Sequence, residues 1–334
     1  MTKFLACVLS IAGVAATSAF ASTTPVTTTV YYTTFAGGQN VWSVTAQFTG
    51  STFTLPGDLN ISSTPGADGI VFNPNSGQLL VGGQGNAVYQ VNKTSGSFTS
   101  ATPGVDAYHL AVDPNKNIVW ATSIPGELSS LPINPFGPAG TPHPTTTVTG
   151  APVNITSLAF VPHAACPTCY EGAYDVFYTN AGAGGVGDFG LINLSTFVVT
   201  PLITNLPAAH GMVFDPFSGD LILGGDSHIT QIDPTTHLIV GDQIFAGDVF
   251  DQGAVDGQGH IYWASNNGQF FFMDYSGTGN INTNGFVYNQ FFKGSLDDIA
   301  PLIGPGGSAP EPATLALLAV GLTGLGFSRR RKLN

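Results

Sequence analysis

Short apolar runs, each closed by a polar turn, recur along the middle of this chain. The plainest copy reads Gly69-Ile-Val-Phe-Asn73-Pro74-Asn-Ser-Gly77-Gln-Leu-Leu-Val-Gly82-Gly83. It returns as Gly211-Met-Val-Phe-Asp215-Pro216-Phe-Ser-Gly219-Asp-Leu-Ile-Leu-Gly224-Gly225. Looser copies run from His109 to Trp120, from Ser157 to Pro162 and from Gly253 to Trp263, and a sixth start at Leu296–Leu302 opens a unit that does not continue. The starts fall at 69, 109, 157, 211, 253 and about 297, a period of 40 to 54 residues. In each unit an apolar strand ends at Asp-Pro or Asn-Pro, where proline fixes φ and the side-chain carbonyl caps the turn. Glycine supplies the positive-φ position, and a second apolar strand follows. No amphipathic stretch of helical period and useful length interrupts the pattern.

A unit of that length has room for four short strands, the size and rhythm of a β-propeller blade. The pattern therefore predicts an all-β body over 22–303 with six blades, or seven as the alternative. Residues 29–36, 41–48 and 51–56 read as three strands ahead of the first repeat. Pairing them with the orphan start at 297–303 would build the last blade from both ends of the body and remove a sheet edge. A parallel β-helix has a much shorter repeat than 40 residues. Two units carry extra length: a Pro/Thr-rich loop at 131–150, and a segment at 163–190 holding two cysteines and a glycine run. Such insertions decorate a face and often carry binding specificity.

Composition narrows the partners. Between the two ends the body has three basic residues, Lys93, Lys116 and Lys293, against nineteen acidic ones, a net charge near −16. An acidic surface without arginine cannot neutralise phosphates, which argues against nucleic acid and against adhesion to anionic lipid. Solubility then rests on Asn, Thr, Ser and Gly, as in carbohydrate-rich extracellular surroundings.

Both ends read as addresses. Lys3, an apolar stretch from Phe4 to Phe20 and the small-residue site Ala19-Phe20-Ala21 predict a secretory signal peptide over 1–21. At the other end, Pro310-Glu311-Pro312 precedes fifteen uncharged residues, Ala313 to Phe327, and then Arg329-Arg330-Arg331-Lys332. As a helix that run covers roughly 22 Å, short for a hydrocarbon core of about 30 Å. With its several glycines it makes a weak permanent anchor. The basic cluster belongs on the cytoplasmic side, which places the body on the other. In sequence and order this segment resembles the PEP-CTERM sorting signal. That resemblance implies recognition by an exosortase, a membrane protease-transpeptidase that acts near Pro-Glu-Pro. It also implies bacteria that make exopolysaccharide, a transient inner-membrane anchor with the body in the periplasm, and release to the cell surface or matrix. The organisation expected is a signal peptide (1–21), a body (22–303), a linker (304–309) and a sorting signal (310–334) with a short hydrophobic helix.

Candidate chemistry is sparse. Cys166-Pro-Thr-Cys169 is the thiol pair outside the signal peptide, and in an exported protein a structural disulfide is the first reading. Metal or redox roles for the pair are the alternatives. The beginnings of the inner strands hold Asp68, Tyr108-His109, Thr156, His210, Asp251-Gln252 and Asp297-Asp298, roughly one polar group per blade. In a propeller these crowd the mouth of the axial channel. Asp68, His109, His210, Asp251 and Asp298 are accordingly the candidate ligand or metal site, for calcium or another divalent ion. The competing reading is a wet channel whose polar residues satisfy only backbone and water. The repeats resemble gluconolactonase-like and virginiamycin B lyase-like propellers in rhythm only; the ligand glutamate of the lactonases has no counterpart. No G-x-S-x-G elbow or phosphate loop is present. The sequence thus points to a non-catalytic envelope or matrix protein that binds polysaccharide or surface proteins and needs no cofactor. A metal-dependent extracellular hydrolase or lyase is the alternative.

Overall fold

The computed structural model describes residues 25–303 apart from positions 37, 39, 116, 124–126, 145, 148–153, 164–168, 171 and 182–184. The expected signal peptide, linker and C-terminal hydrophobic helix lie outside the described residues, as do Pro310, Glu311, Pro312, Arg329, Arg330 and Arg331. The described chain is all-β, with a single 3-10 turn at Ile281–Thr283. Among the described residues no helix is long and apolar enough to cross a membrane.

The first sheet holds β1 (Val26–Thr34), β2 (Val41–Phe48), β3 (Phe53–Thr54) and β4 (Asp58–Ser62). The second holds β5 (Ala67–Phe72), β6 (Leu79–Gly83), β7 (Ala87–Val91) and β8 (Phe98–Ala101). The third holds β9 (His109–Val112), β10 (Ile118–Thr122), β11 (Glu127–Pro132) and β12 (Thr141–Pro144). The fourth holds β13 (Thr146–Thr147), β14 (Ser157–Pro162), β15 (Tyr174–Thr179), β16 (Val186–Asn193) and β17 (Val198–Pro207). The fifth holds β18 (Ala209–Phe214), β19 (Leu221–Asp233), β20 (Leu238–Val255), β21 (His260–Ser265), β22 (Gln269–Asp274) and β23 (Phe286–Phe291). β24 (Leu296–Ile299) returns to the first sheet antiparallel to β1, with Tyr32 opposite Ile299 and Thr34 opposite Leu296.

Five sheets form among the described residues, against the six blades expected (or seven as the alternative). The difference lies in β20. Its first part, from Leu238 to Val249, pairs with β19, and its last part, from Phe250 to Val255, pairs with β21. At Gly247 (φ 91°) the strand bends instead of ending, so two sequence units share one six-stranded sheet. A second correction concerns 131–150. It is not a bare loop, because Thr141–Pro144 forms the outer strand of the third sheet against β11.

The turn chemistry explains why these strands stop where they do. Asn73, Asp113, Asp215 and Asp256 each accept a hydrogen bond through Oδ1 from the backbone N–H two residues on, at 2.8–3.1 Å. Gly77 (φ 65°) and Gly219 (φ 82°) take the left-handed position and donate to the carbonyls of Asn73 and Asp215. The core is divided among wedges between sheets. Phe270 and Phe272 of β22 pack with Phe48 and Phe53 of the first sheet, closing the ring. Phe271 and Met273, on the opposite face, pack with Ile222, Ile229 and Trp263 inside the fifth sheet. Period-two alternation thus buries both faces of that aromatic strand.

The inner strands lie against one another in the order β5, β9, β14, β18, the end of β20, and β24, which returns to β5. Their starts face one end of the central axis.

Candidate functional site at the mouth of the axial channel

Hydroxyl groups hold the starts of the inner strands together. The Thr33 hydroxyl donates to the carbonyl of Asp68 (2.7 Å) and accepts from the N–H of Asp298 (3.1 Å), joining β1, β5 and β24. Thr122 donates to the carbonyl of Thr156 (2.8 Å), and Thr156 in turn donates to the carbonyl of Ala209 (2.7 Å). At Gly69 the N–H donates to the carbonyl of Tyr108 (2.6 Å), and a Cβ there would run into the backbone of His109. Trp263 wedges between Gly224 and Gly253 and donates its indole N–H to the carbonyl of Asp251. Backbone approach of this closeness fixes where the side chains at the strand starts can point.

Those side chains converge. Asp68, Tyr108, Thr156, His210, Asp251 and Asp297, one from each repeat start, line a single cavity of about 260 Å³ with His109, Gln84 and Asn266. His109 is buried between two carboxylates: its Nδ1 lies 3.1 Å from Oδ2 of Asp298, and its Nε2 3.1 Å from Oδ1 of Asp251. Asp298 is fully buried and also accepts the N–H of Gln252 at 2.7 Å. Gln84 donates to Asp68 (2.6 Å) and Asn266 to Oδ2 of Asp251 (3.1 Å). All five candidate residues, Asp68, His109, His210, Asp251 and Asp298, are therefore in one place. Ligand atoms of His109, His210 and Asp251 lie within 4.8 Å of one another, as do those of Asp68, His109 and Asp298.

The electrostatics follow from burial and crowding. Burial raises the pKa of Asp68, and the neighbouring Asp298 carboxylate adds to it. Burial likewise raises Asp297, with Asp68 and Asp251 adding like-charge repulsion. Asp298 is pushed up to about 6 by burial, less the pull of His109. For His109, burial alone would lower the pKa, but Asp298 and Asp251 outweigh it and raise it well above that of free imidazole. The centre behaves as one imidazolium inside a cluster of carboxyl groups that compete for too little positive charge.

Sequence reading missed Gln84 and Asn266. Each follows the end of the second strand of its unit, and each bonds the aspartate at the start of the first strand of that unit. A polar residue recurring at that position is the signal that could have found them. The opposite end of the inner strands opens into a larger cavity of about 570 Å³, lined mainly by apolar residues such as Val71, Leu110, Leu158 and Met212. Its titratable lining groups among the described residues are Asp113 and Tyr174. Cys169 is disulfide-bonded, and Cys166 lies outside the described residues. A disulfide sulfur carries no thiolate, so the neighbouring trio of His163, Cys169 and Asp175 is not a thiolate metal site.

Comparison with known proteins bears on both parts of the chain. A family model described as the PEP-CTERM protein-sorting motif matches residues 308–332. No curated protein matches the sequence. Among solved structures, a chain of the crystal structure of a nidogen/laminin complex is similar at a TM-score of 0.61 and 12% identity, covering 82% of this chain and 98% of that one. A chain of Kuenenia stuttgartiensis hydrazine synthase is similar at a TM-score of 0.49 and 9% identity, covering 73% of this chain and 75% of that one. At 12% identity the first of these likenesses speaks to the fold alone. The chain carries a PEP-CTERM sorting motif at residues 308–332, behind an all-β propeller body.

Proposed function

We propose that this is an exported protein, sorted by an exosortase to the cell envelope or extracellular matrix, whose propeller is a non-catalytic body that binds polysaccharide or surface proteins. The observation that carries the reading is the sorting motif at 308–332, which begins five residues after the last described residue of the propeller, Ile303. On this reading Pro310-Glu311-Pro312 is the recognition element. The apolar run holds the chain at the membrane until processing, and the acidic body then works outside the inner membrane. The acidic surface fits neutral polysaccharide or protein partners and disfavours nucleic acid.

The experiment is expression in an exosortase-bearing, polysaccharide-producing host, with mass analysis of the mature C-terminus and assay of the body on cells and matrix. Cleavage near Pro310–Pro312 and retention by the producing cells or their polysaccharide are expected. Replacing Pro310, Glu311 and Pro312 by alanine should leave the uncleaved chain in the membrane fraction. An unprocessed wild-type tail, or a body with no affinity for cells or polysaccharide, would overturn the reading. A metal-dependent hydrolase or lyase is the second reading, favoured by the buried Asp/His cluster at the channel mouth. It requires turnover of a glycan that chelator abolishes.

A further inference from the structure

The charge balance at the channel mouth is incomplete. Asp68, Asp251, Asp297 and Asp298 are each at least nine-tenths buried and crowd one point on the axis. Among the described residues His109 is paired with them, its two ring nitrogens facing Asp298 and Asp251, and His210 has a ring nitrogen within 4.8 Å of Asp251. Gln84 and Asn266 satisfy one oxygen each of Asp68 and Asp251. Two buried oxygens have no partner, Oδ2 of Asp297 and Oδ1 of Asn266, and Oδ1 of Asp251 meets only the Nε2 of His109. All three belong to residues lining the same cavity. A buried carboxyl group without a partner is disfavoured in its charged form unless positive charge is supplied to it. Water can fill lone pairs, but it does not neutralise an excess of carboxylates.

Geometry says what could. One oxygen from each of Asp251, Asp297 and Asp298 lies within 4.8 Å of the other two. Oxygens about 2.4 Å from a calcium ion are at most about 4.8 Å apart, so the three fit one coordination sphere. The donors are all oxygen, His109 is already engaged on both nitrogens, and Cys169 is tied in a disulfide. That set suits a hard cation better than a thiolate- or imidazole-seeking one. We propose that Asp251, Asp297 and Asp298 form a site for an oxygen-preferring divalent cation of the calcium class at the mouth of the axial channel, with Asn266 as an additional donor. The remaining coordination positions face the cavity and are open to water or to an oxygen-bearing ligand. The site stands independently of exosortase sorting and of the binding role proposed above.

The test uses the full chain, exported, purified and stripped with chelator. Calcium, magnesium, manganese and zinc are then added separately, with thermal unfolding and titration calorimetry as readouts. Calcium should bind at one ion per chain and raise the Tm saturably. Asp297→Asn removes one of the crowded carboxyl groups. It should therefore unfold at a higher temperature than wild type in chelator, and lose tenfold or more in calcium affinity. Asp251→Asn should lose the same affinity and serves if the first variant fails to fold. His210→Ala and the outer-edge variant Asp242→Asn should keep wild-type calcium affinity. Absence of any calcium shift at millimolar concentration would overturn the proposal. So would an undiminished calcium response in both aspartate variants, or a site that takes zinc in preference and loses it in His210→Ala.

Discussion

At the scale of single residues, Asp298 shows how burial decides chemistry. It has no exposure, it accepts the N–H of Gln252, and it shares His109 with Asp251. Its folded pKa is pushed up to about 6 by burial, so folding favours its protonated form. A raised pKa contributes stability that is fully present below the unfolded value, near 4, and lost as pH rises through the folded one. Asp68 and Asp297 shift in the same direction, and so does His109, whose contribution is lost as pH rises from about 6.5 to about 10. In chelator, the Tm should therefore fall as pH is raised from about 4.5 to about 7. Asp298→Asn should flatten that slope, as seen by calorimetry across the range. A wild-type Tm that rises through the window would contradict this account. The polar character of the site was visible in the sequence as one polar group at each repeat start. Which of those groups share a proton was not, since Asp298 and His109 are 189 positions apart.

At the scale of elements, strand starts rather than strand lengths build the site. Trp263 on β21 fits only because Gly224 on β19 and Gly253 on β20 leave room for its ring, and it then holds the carbonyl of Asp251. A methyl group at Gly253 would overlap the indole. Gly253→Ala should cost about 1–3 kcal/mol by overpacking. Gly277→Ala, with open space around it, should stay within about 0.5 kcal/mol. Chemical denaturation of the two variants measures the difference, and equal stabilities would show that Trp263 has freedom to move. The Asp-Pro and Asn-Pro turns were legible because their chemistry is local: a side-chain oxygen caps an N–H two residues away. Gln84 and Asn266 were legible only as polar residues after a second strand; their bonds to an aspartate 15 or 16 positions back on a neighbouring strand were not.

At the scale of the molecule, the two ends of the propeller are fastened to each other. Ile299 of β24 faces Tyr32 of β1 and is fully buried in the cluster that joins the first sheet to β21 and β22. Nearby, the Lys293 ammonium sits 2.5 Å from the carboxylate of Asp58 and over the ring of Trp42, while Tyr32 donates to Asp58 at 2.6 Å. Ile299→Ala should cost about 2–5 kcal/mol, the range for a buried aliphatic truncated to alanine. Leu59→Ala on the exposed side of the same sheet should cost no more than about 0.5 kcal/mol. A small effect at Ile299 in denaturant titrations would mean that the ring is held by other contacts. The sequence by itself determined the all-β class, the repeat starts, the turn chemistry and the sorting motif, because each is written in residues close together along the chain. Only the tertiary structure decided that β20 serves two units and leaves five sheets among the described residues. It also decided that carboxylates from β5, β20 and β24 meet His109 from β9 in one cavity. Those outcomes depend on how strands tens to hundreds of residues apart pack around an axis, where burial and like-charge crowding act on groups that are strangers in sequence.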